Sequence, residues 1–173
     1  MTYSGKLRTM GLKGDLFIES THWVRICNLC FEPFGRCDCV GENAIEVDSN
    51  IAEILRLFHS KKYQTVSCCE GHIRVYETEK GNVYTTYSSP YITFDIRSLE
   101  DMKKEIVNWK DFEIEILDNN RYQINGKSLK VKGDRRYTAI DYKRNLLNEL
   151  VNNIKKMKER EWAKGETLIQ TTY

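Results

Sequence analysis

Four cysteines gathered between positions 27 and 39 restrict this chain more than any other feature. In Cys27-Asn28-Leu29-Cys30 the two-residue spacer turns both sulfurs towards one point, and Cys37-Asp38-Cys39 returns after a loop containing Pro33 and Gly35. Four thiolates at about 2.3 Å satisfy tetrahedral zinc without any other ligand, so the expected site is closed, structural and chemically inert. Its work is to staple a loop that so short a sequence could not otherwise hold. The one-residue spacer between Cys37 and Cys39 makes a tight bite on a single metal, which leaves open that one of them stays out. His22, Asp38, Cys69 and His72 are then the substitutes. Zinc is preferred to iron mainly by availability and because no known iron–sulfur cluster spacing is present. The alternative is four small buried apolar residues that bind nothing.

With 173 residues, 40% of them hydrophobic, the chain can close a real core. The expected organisation is an arm and zinc knuckle over residues 1–46 and an α+β domain over 47–173. The formal charge of +2 supplies no overall field, so any electrostatic argument has to come from local clusters. No stretch reads as a signal peptide or approaches the ~20 apolar residues that cross a bilayer. The expected location is cytoplasmic, with no membrane partner and with reduced thiols available for metal or catalysis.

Residues 1–21 read as an irregular arm with a short strand at Leu16-Phe17-Ile18. A strand at His22–Ile26 delivers the first cysteine. From Ser49, with Asp48 or Ser49 as cap, Ile51, Ile54, Leu55 and Phe58 fall on one helical face that ends near Lys61. Strands follow at 63–68, 73–76, 83–87 and 91–96, then a helix from Ser98 through Trp109 with Ile106 and Trp109 turned inward. Residues 112–117 alternate cleanly. Asp118-Asn119-Asn120 and Asn125-Gly126 then read as hairpin turns of a meander that continues to Leu129-Lys130-Val131. A last helix over about 139–163 carries a stripe of Leu147, Leu150, Val151, Ile154 and Met157. Strands broken by about three helices, without a regular βαβ alternation, predict an α+β fold on a mixed or largely antiparallel sheet.

At the strand end, Ser67-Cys68-Cys69-Glu70-Gly71-His72 sets two thiols, a carboxylate, a permissive glycine and an imidazole where a sheet positions side chains yet leaves them open. Neighbouring strand residues face opposite ways, so Cys68 and Cys69 cannot both serve one site, and Cys69 is the better candidate. His72 could lower the Cys69 pKa and yield a nucleophile, or both could bind metal. The bland reading puts one cysteine in the core, the other along the turn, and His72 in a local hydrogen bond.

Val47-Asp48, Ile51, Ile54, Leu57, Tyr63, Thr65, Ser67, Cys69, Gly71 and Ile73 together are similar to the motif region of the tRNA wybutosine-synthesising methyltransferase family (its third enzyme). There a helix leads to a Thr-Thr-Ser-Ser-Cys-Ser-Gly-Arg turn. The resemblance covers about residues 47–75 and implies that Ser67, Cys69 and Gly71 belong to a site receiving S-adenosylmethionine and a tRNA base. Cys68, Glu70 and His72 depart from that pattern, and His72 stands where the family has an arginine. The chain also resembles small uncharacterised bacterial and phage proteins that join a cysteine knuckle to a Cys-Cys-x-Gly-His segment, a likeness that brings no function with it.

Between Arg121 and Arg144 the cations Arg121, Lys127, Lys130, Lys132, Arg135, Arg136, Lys143 and Arg144 face only Asp134 and Asp141, with Tyr122, Tyr137 and Tyr142 interleaved. Cations that neutralise phosphates and tyrosines that stack on bases suit RNA or single-stranded DNA. Lys130, Lys132, Arg135, Arg136 and Tyr137 are the candidate contacts, and a solvated charged face is the plain alternative. The reading ranked first is a zinc-binding, nucleic-acid-associated module. The second is an S-adenosylmethionine-dependent nucleic-acid methyltransferase that uses Ser67, Gly71, Cys69 and His72. The third is a scaffold that meets a protein partner through Phe31, Pro33 and Phe34.

Overall fold

Alternation and helical periodicity resolve into ten strands and three helices among the described residues, which are 12–39 and 44–162 of a computed structural model. The first eleven residues of the arm expected over 1–21, the end of the knuckle at Gly41 and the last helix's expected end at Ala163 lie outside them. Every described strand pairing is antiparallel, so the fold is α+β as expected.

The first sheet has the order β1 (Leu12–Ile18), β5 (Ile73–Thr78), β6 (Val83–Tyr87), β10 (Leu129–Lys132). The second has the order β4 (Thr65–Cys69), β7 (Tyr91–Asp95), β9 (Arg121–Gly126), β8 (Phe112–Ile116). A separate ribbon pairs β2 (Trp23–Cys27) with β3 (Ala44–Asp48) and carries the knuckle at its tip. β1 is longer than the short strand expected, and it pairs with β5 from the far side of the knuckle.

Helix α1 (Ser49–Ser60) buries Ile51, Ile54, Leu55 and Phe58, the face its spacing predicts. Phe58 meets Phe94 edge-on at 4.8 Å between centroids, and Phe94 stacks on Tyr122 at 5.2 Å. Each such ring, fully buried, contributes roughly 1.5–3 kcal/mol. Helix α2 (Leu99–Ile106) ends before Trp109, which is nonetheless buried against Phe112. Helix α3 (Arg136–Lys156) starts earlier and stops sooner than expected and packs on α1, β5 and β6. Beyond it Arg160 is buried, bonded to Asp101 at 3.0 Å and to the Lys62 and Arg97 carbonyls.

The meander is corrected at one point. Asp118–Asn120 does turn β8 into β9, but Asn125-Gly126 does not fold β10 back on β9. Gly126 donates its N–H to Pro90 O at 2.9 Å and lies so close that a Cβ there would stand 2.7 Å from the Pro90 ring. Side-chain-free passage at that point lets the chain leave the second sheet and join β6 of the first.

Candidate metal centres

β2 delivers Cys27, and the chain then wraps tightly around it. Phe31 N–H donates to Cys27 O and Cys27 N–H to Glu32 O, both at 2.9 Å, while Leu29 N–H points at Cys27 Sγ from 3.4 Å. Two left-handed residues, Phe31 (φ 60°) and Gly35 (φ 83°), bend the loop back. Glycine takes this conformation freely, whereas for phenylalanine it costs about 1–2 kcal/mol. Burial of the Phe31 ring beside His59, at 5.0 Å, offsets that cost. Of the three residues suggested for a protein partner, Phe31 is therefore inside and only Pro33 and Phe34 stay exposed.

Cys27, Cys30, Cys37 and Cys39 bring their four sulfurs within 4.8 Å of one another, so the short Cys37–Cys39 spacer excludes neither thiol. His22 and Asp38 are not part of the group. Burial opposes ionisation of Cys27, but the Cys30 and Leu29 N–H groups outweigh it and bring that thiol down to about 7. Burial raises Cys30, and hydrogen bonding to Cys30 pushes Cys39 up to about 12. One negative sulfur thus discourages the next, a conflict that a bound cation removes. The cluster could hold a metal such as zinc.

The Cys-Cys-Glu-Gly-His turn closes β4. Cys68 pairs with buried Ile92 and packs against the core, where burial pushes its thiol to about 12. Cys69 pairs with Tyr91 on the opposite face, and its Sγ lies 3.4 Å from His72 Nε2. Burial raises the Cys69 thiol as well, which opposes a free thiolate nucleophile. Gly71 holds φ +75°, and a Cβ there would fall 2.3 Å from Ser88 O and 2.6 Å from the Tyr87 ring. Packing alone thus demands glycine. Ser67 spends its hydroxyl on Thr93 Oγ1 at 3.0 Å, within a chain that runs on to Gln123.

Two residues here escape sequence reasoning. Asp48, at the junction of β3 and α1, places a carboxylate oxygen within 4.8 Å of the Cys69 and His72 donor atoms. Its position before a helix suggests a cap, and no ligand role follows from the sequence. Lys143, counted above among the basic residues, is 4% exposed and bonds Glu70 at 2.7 Å and both Glu19 oxygens at 3.0 Å. Glu70 is itself 3% exposed.

The rest of the basic stretch is largely neutralised by neighbours. Arg121 pairs with Asp118, Lys127 with Asp111, Arg136 with Asp134 and Arg144 with Asp141. Arg136 also lies over the Phe17 ring at 4.6 Å. Tyr122 is core, bonded to Ser98 Oγ at 2.7 Å, and Tyr142 packs edge-on against Tyr87. Tyr137 remains 79% exposed. Lys130 and Lys132 are exposed and form no ion pair among the described residues.

These two lysines belong to a face that sequence inspection did not assemble. Across β5, β6 and β10 the register aligns Arg74, Thr86 and Lys130 in one row and Tyr76, Tyr84 and Lys132 in the next. Intervening Val75 and Thr85 point inward and are fully buried. Tyr76 and Tyr84 lie 5.9 Å apart, tilted by 31°, with Arg74 over the first ring at 5.6 Å and Lys130 over the second at 5.0 Å. Arg74 is also tied to Asp15.

A scan against family models, a search of curated proteins and a search of solved structures found no match to this chain.

Proposed function

We propose that this chain is a zinc-stapled module that binds single-stranded nucleic acid on the outer face of its first sheet. The observation that carries the reading is the two-row array of Arg74, Lys130 and Lys132 around the Tyr76–Tyr84 pair. Flat rings on a sheet accept bases of any identity, and flanking cations track the phosphates between them. Cysteine ligation by Cys27, Cys30, Cys37 and Cys39 would hold one zinc ion in a closed shell, which braces the β2–β3 ribbon and leaves no position for substrate. Arg135, Arg136 and Tyr137 lie where the chain leaves β10 for α3 and would extend the contact at one edge.

The test is affinity for a short single-stranded RNA followed by fluorescence anisotropy across a salt series. Tyr76→Ala and Tyr84→Ala should each weaken binding by about 1–3 kcal/mol, the worth of one stacked base. Lys130→Ala with Lys132→Ala should flatten the log–log salt slope by roughly 1–2. Binding that is absent at low salt, or indifferent to all four changes, removes the reading. The zinc component is checked separately by metal analysis, where less than half an equivalent in protein purified without chelator would reject it.

A further inference from the structure

Asp48 occupies the N-cap of α1, where an aspartate ordinarily accepts an N–H from the first turn. Here its side chain makes no cap bond. Oδ2 accepts the Glu70 N–H at 3.2 Å, whereas Oδ1 is buried without a partner, in a residue only 6% exposed. A buried carboxylate oxygen left bare is strongly unfavourable unless something positive meets it. Lys143 does not, because its ammonium is already shared by Glu70 and Glu19. Three carboxylates and one ammonium leave this region short of positive charge.

What faces Asp48 is a thiol and an imidazole. Cys69 Sγ and His72 Nε2 stand 3.4 Å apart, and all three donor atoms lie within 4.8 Å of one another. Ligands on a tetrahedral zinc ion at 2.0–2.3 Å are separated by about 3.3–3.8 Å, so the Cys69–His72 spacing already fits and only small closure is needed. Each donor is steadied by a neighbour. Glu70 N–H holds Asp48 Oδ2, Gly71 N–H points at Cys69 Sγ from 3.4 Å, and the His72 backbone N–H donates to Ser88 Oγ at 2.8 Å, which fixes the main chain that carries the imidazole.

We propose that Asp48, Cys69 and His72 bind a second divalent ion of the zinc class, with one coordination position left to water or to a ligand atom. Sulfur and nitrogen donors select against magnesium and calcium, which take oxygen shells. Three protein ligands with a fourth position open is the pattern of catalytic rather than structural zinc. Cys69 and His72 are only partly buried, so the ion can be reached from solvent. The two metals would be separate. Cys27 pairs with Ala44 and Asp48 with Trp23, four residue pairs away along the β2–β3 ribbon, or about 13 Å.

The experiment is metal analysis of the full chain together with Co2+ titration followed by absorption. Wild type should carry two equivalents of zinc and take up cobalt in two steps. Asp48→Asn and His72→Gln should each remove one equivalent and weaken the corresponding cobalt step at least tenfold. Both should keep the other equivalent, with its strong thiolate-to-cobalt bands, and that retention also shows that these variants fold. Cys39→Ser should do the reverse, keeping the weaker-absorbing step. A single equivalent in wild type that disappears with Cys39→Ser, or two equivalents untouched by Asp48→Asn and His72→Gln, overturns the proposal.

Discussion

The knuckle and the Asp48–Cys69–His72 cluster are both made of potential metal donors, yet the chain builds them in opposite ways. The first is local: its sulfurs come from one loop, held by backbone bonds within residues 25–36 and by two left-handed residues. The second is assembled from the end of β3, the end of β4 and the turn into β5, and is braced by Lys143 from a helix 73 residues further along than Glu70. A local site touches the core at few points, here through Ile26 and Phe31, so its failure should leave the second sheet folded. An assembled site is coupled to the core that positions it.

That contrast can be broken or sharpened by perturbations of decreasing size. Removing metal with a chelator, or replacing Cys30 by serine, should disorder the knuckle outright, since structural zinc contributes about 10–16 kcal/mol in isolated finger peptides. Amide exchange should collapse over residues 25–39 while β4, β7 and β9 keep their protection. If the second sheet loosens equally, the knuckle is not local after all. Next, Lys143→Ala strands Glu70 and Glu19 and should cost about 3–5 kcal/mol in chemical denaturation. Here the whole transition should shift.

Gly71→Ala should cost about 2–4 kcal/mol, from a left-handed backbone together with a clash against Ser88 O that no rotamer relieves. Retained stability would mean that the turn can move, and the alignment of Cys69 with His72 would lose its rigidity. The smallest effect is also the most discriminating. Asp48→Asn should be neutral or stabilising by about 1 kcal/mol in metal-free protein, because it removes a buried charge, and destabilising once zinc is added. The same sign with and without zinc would leave Asp48 a purely structural residue. Thermal unfolding with no metal, with one equivalent and with two equivalents reads this directly, the second equivalent being the one that bears on Asp48.

How much of this was legible in the sequence follows the same division. The four knuckle cysteines could be named because their donors are close in sequence, as could the buried face of α1, where spacing and packing coincide. Asp48 could not, because an aspartate before a helix has a sufficient local explanation as a cap, and its real neighbours lie more than twenty positions away. Lys143 looked like one cation among many, and nothing nearby in the chain announces Glu19. Asn125-Gly126 had the composition of a hairpin turn, but close packing on Pro90 rather than turn chemistry explains its glycine. Of the tyrosines interleaved with the basic residues, Tyr122 went into the core and Tyr142 against it, and Tyr137 alone stayed exposed, while Tyr76 and Tyr84 reached the lysines through strand register.

The Lys143 contact sets an order of events during synthesis. A ribosome adding about 5–20 residues per second completes all four knuckle cysteines early, then needs roughly 4–15 s more after Glu70 before its ammonium partner exists. Throughout that interval Glu70 and Glu19 lack their cation, while the four knuckle cysteines are already complete. On the proposed reading, the all-sulfur site would be able to take its ion before the mixed-donor site gains the buried charge pairing that α3 brings to it.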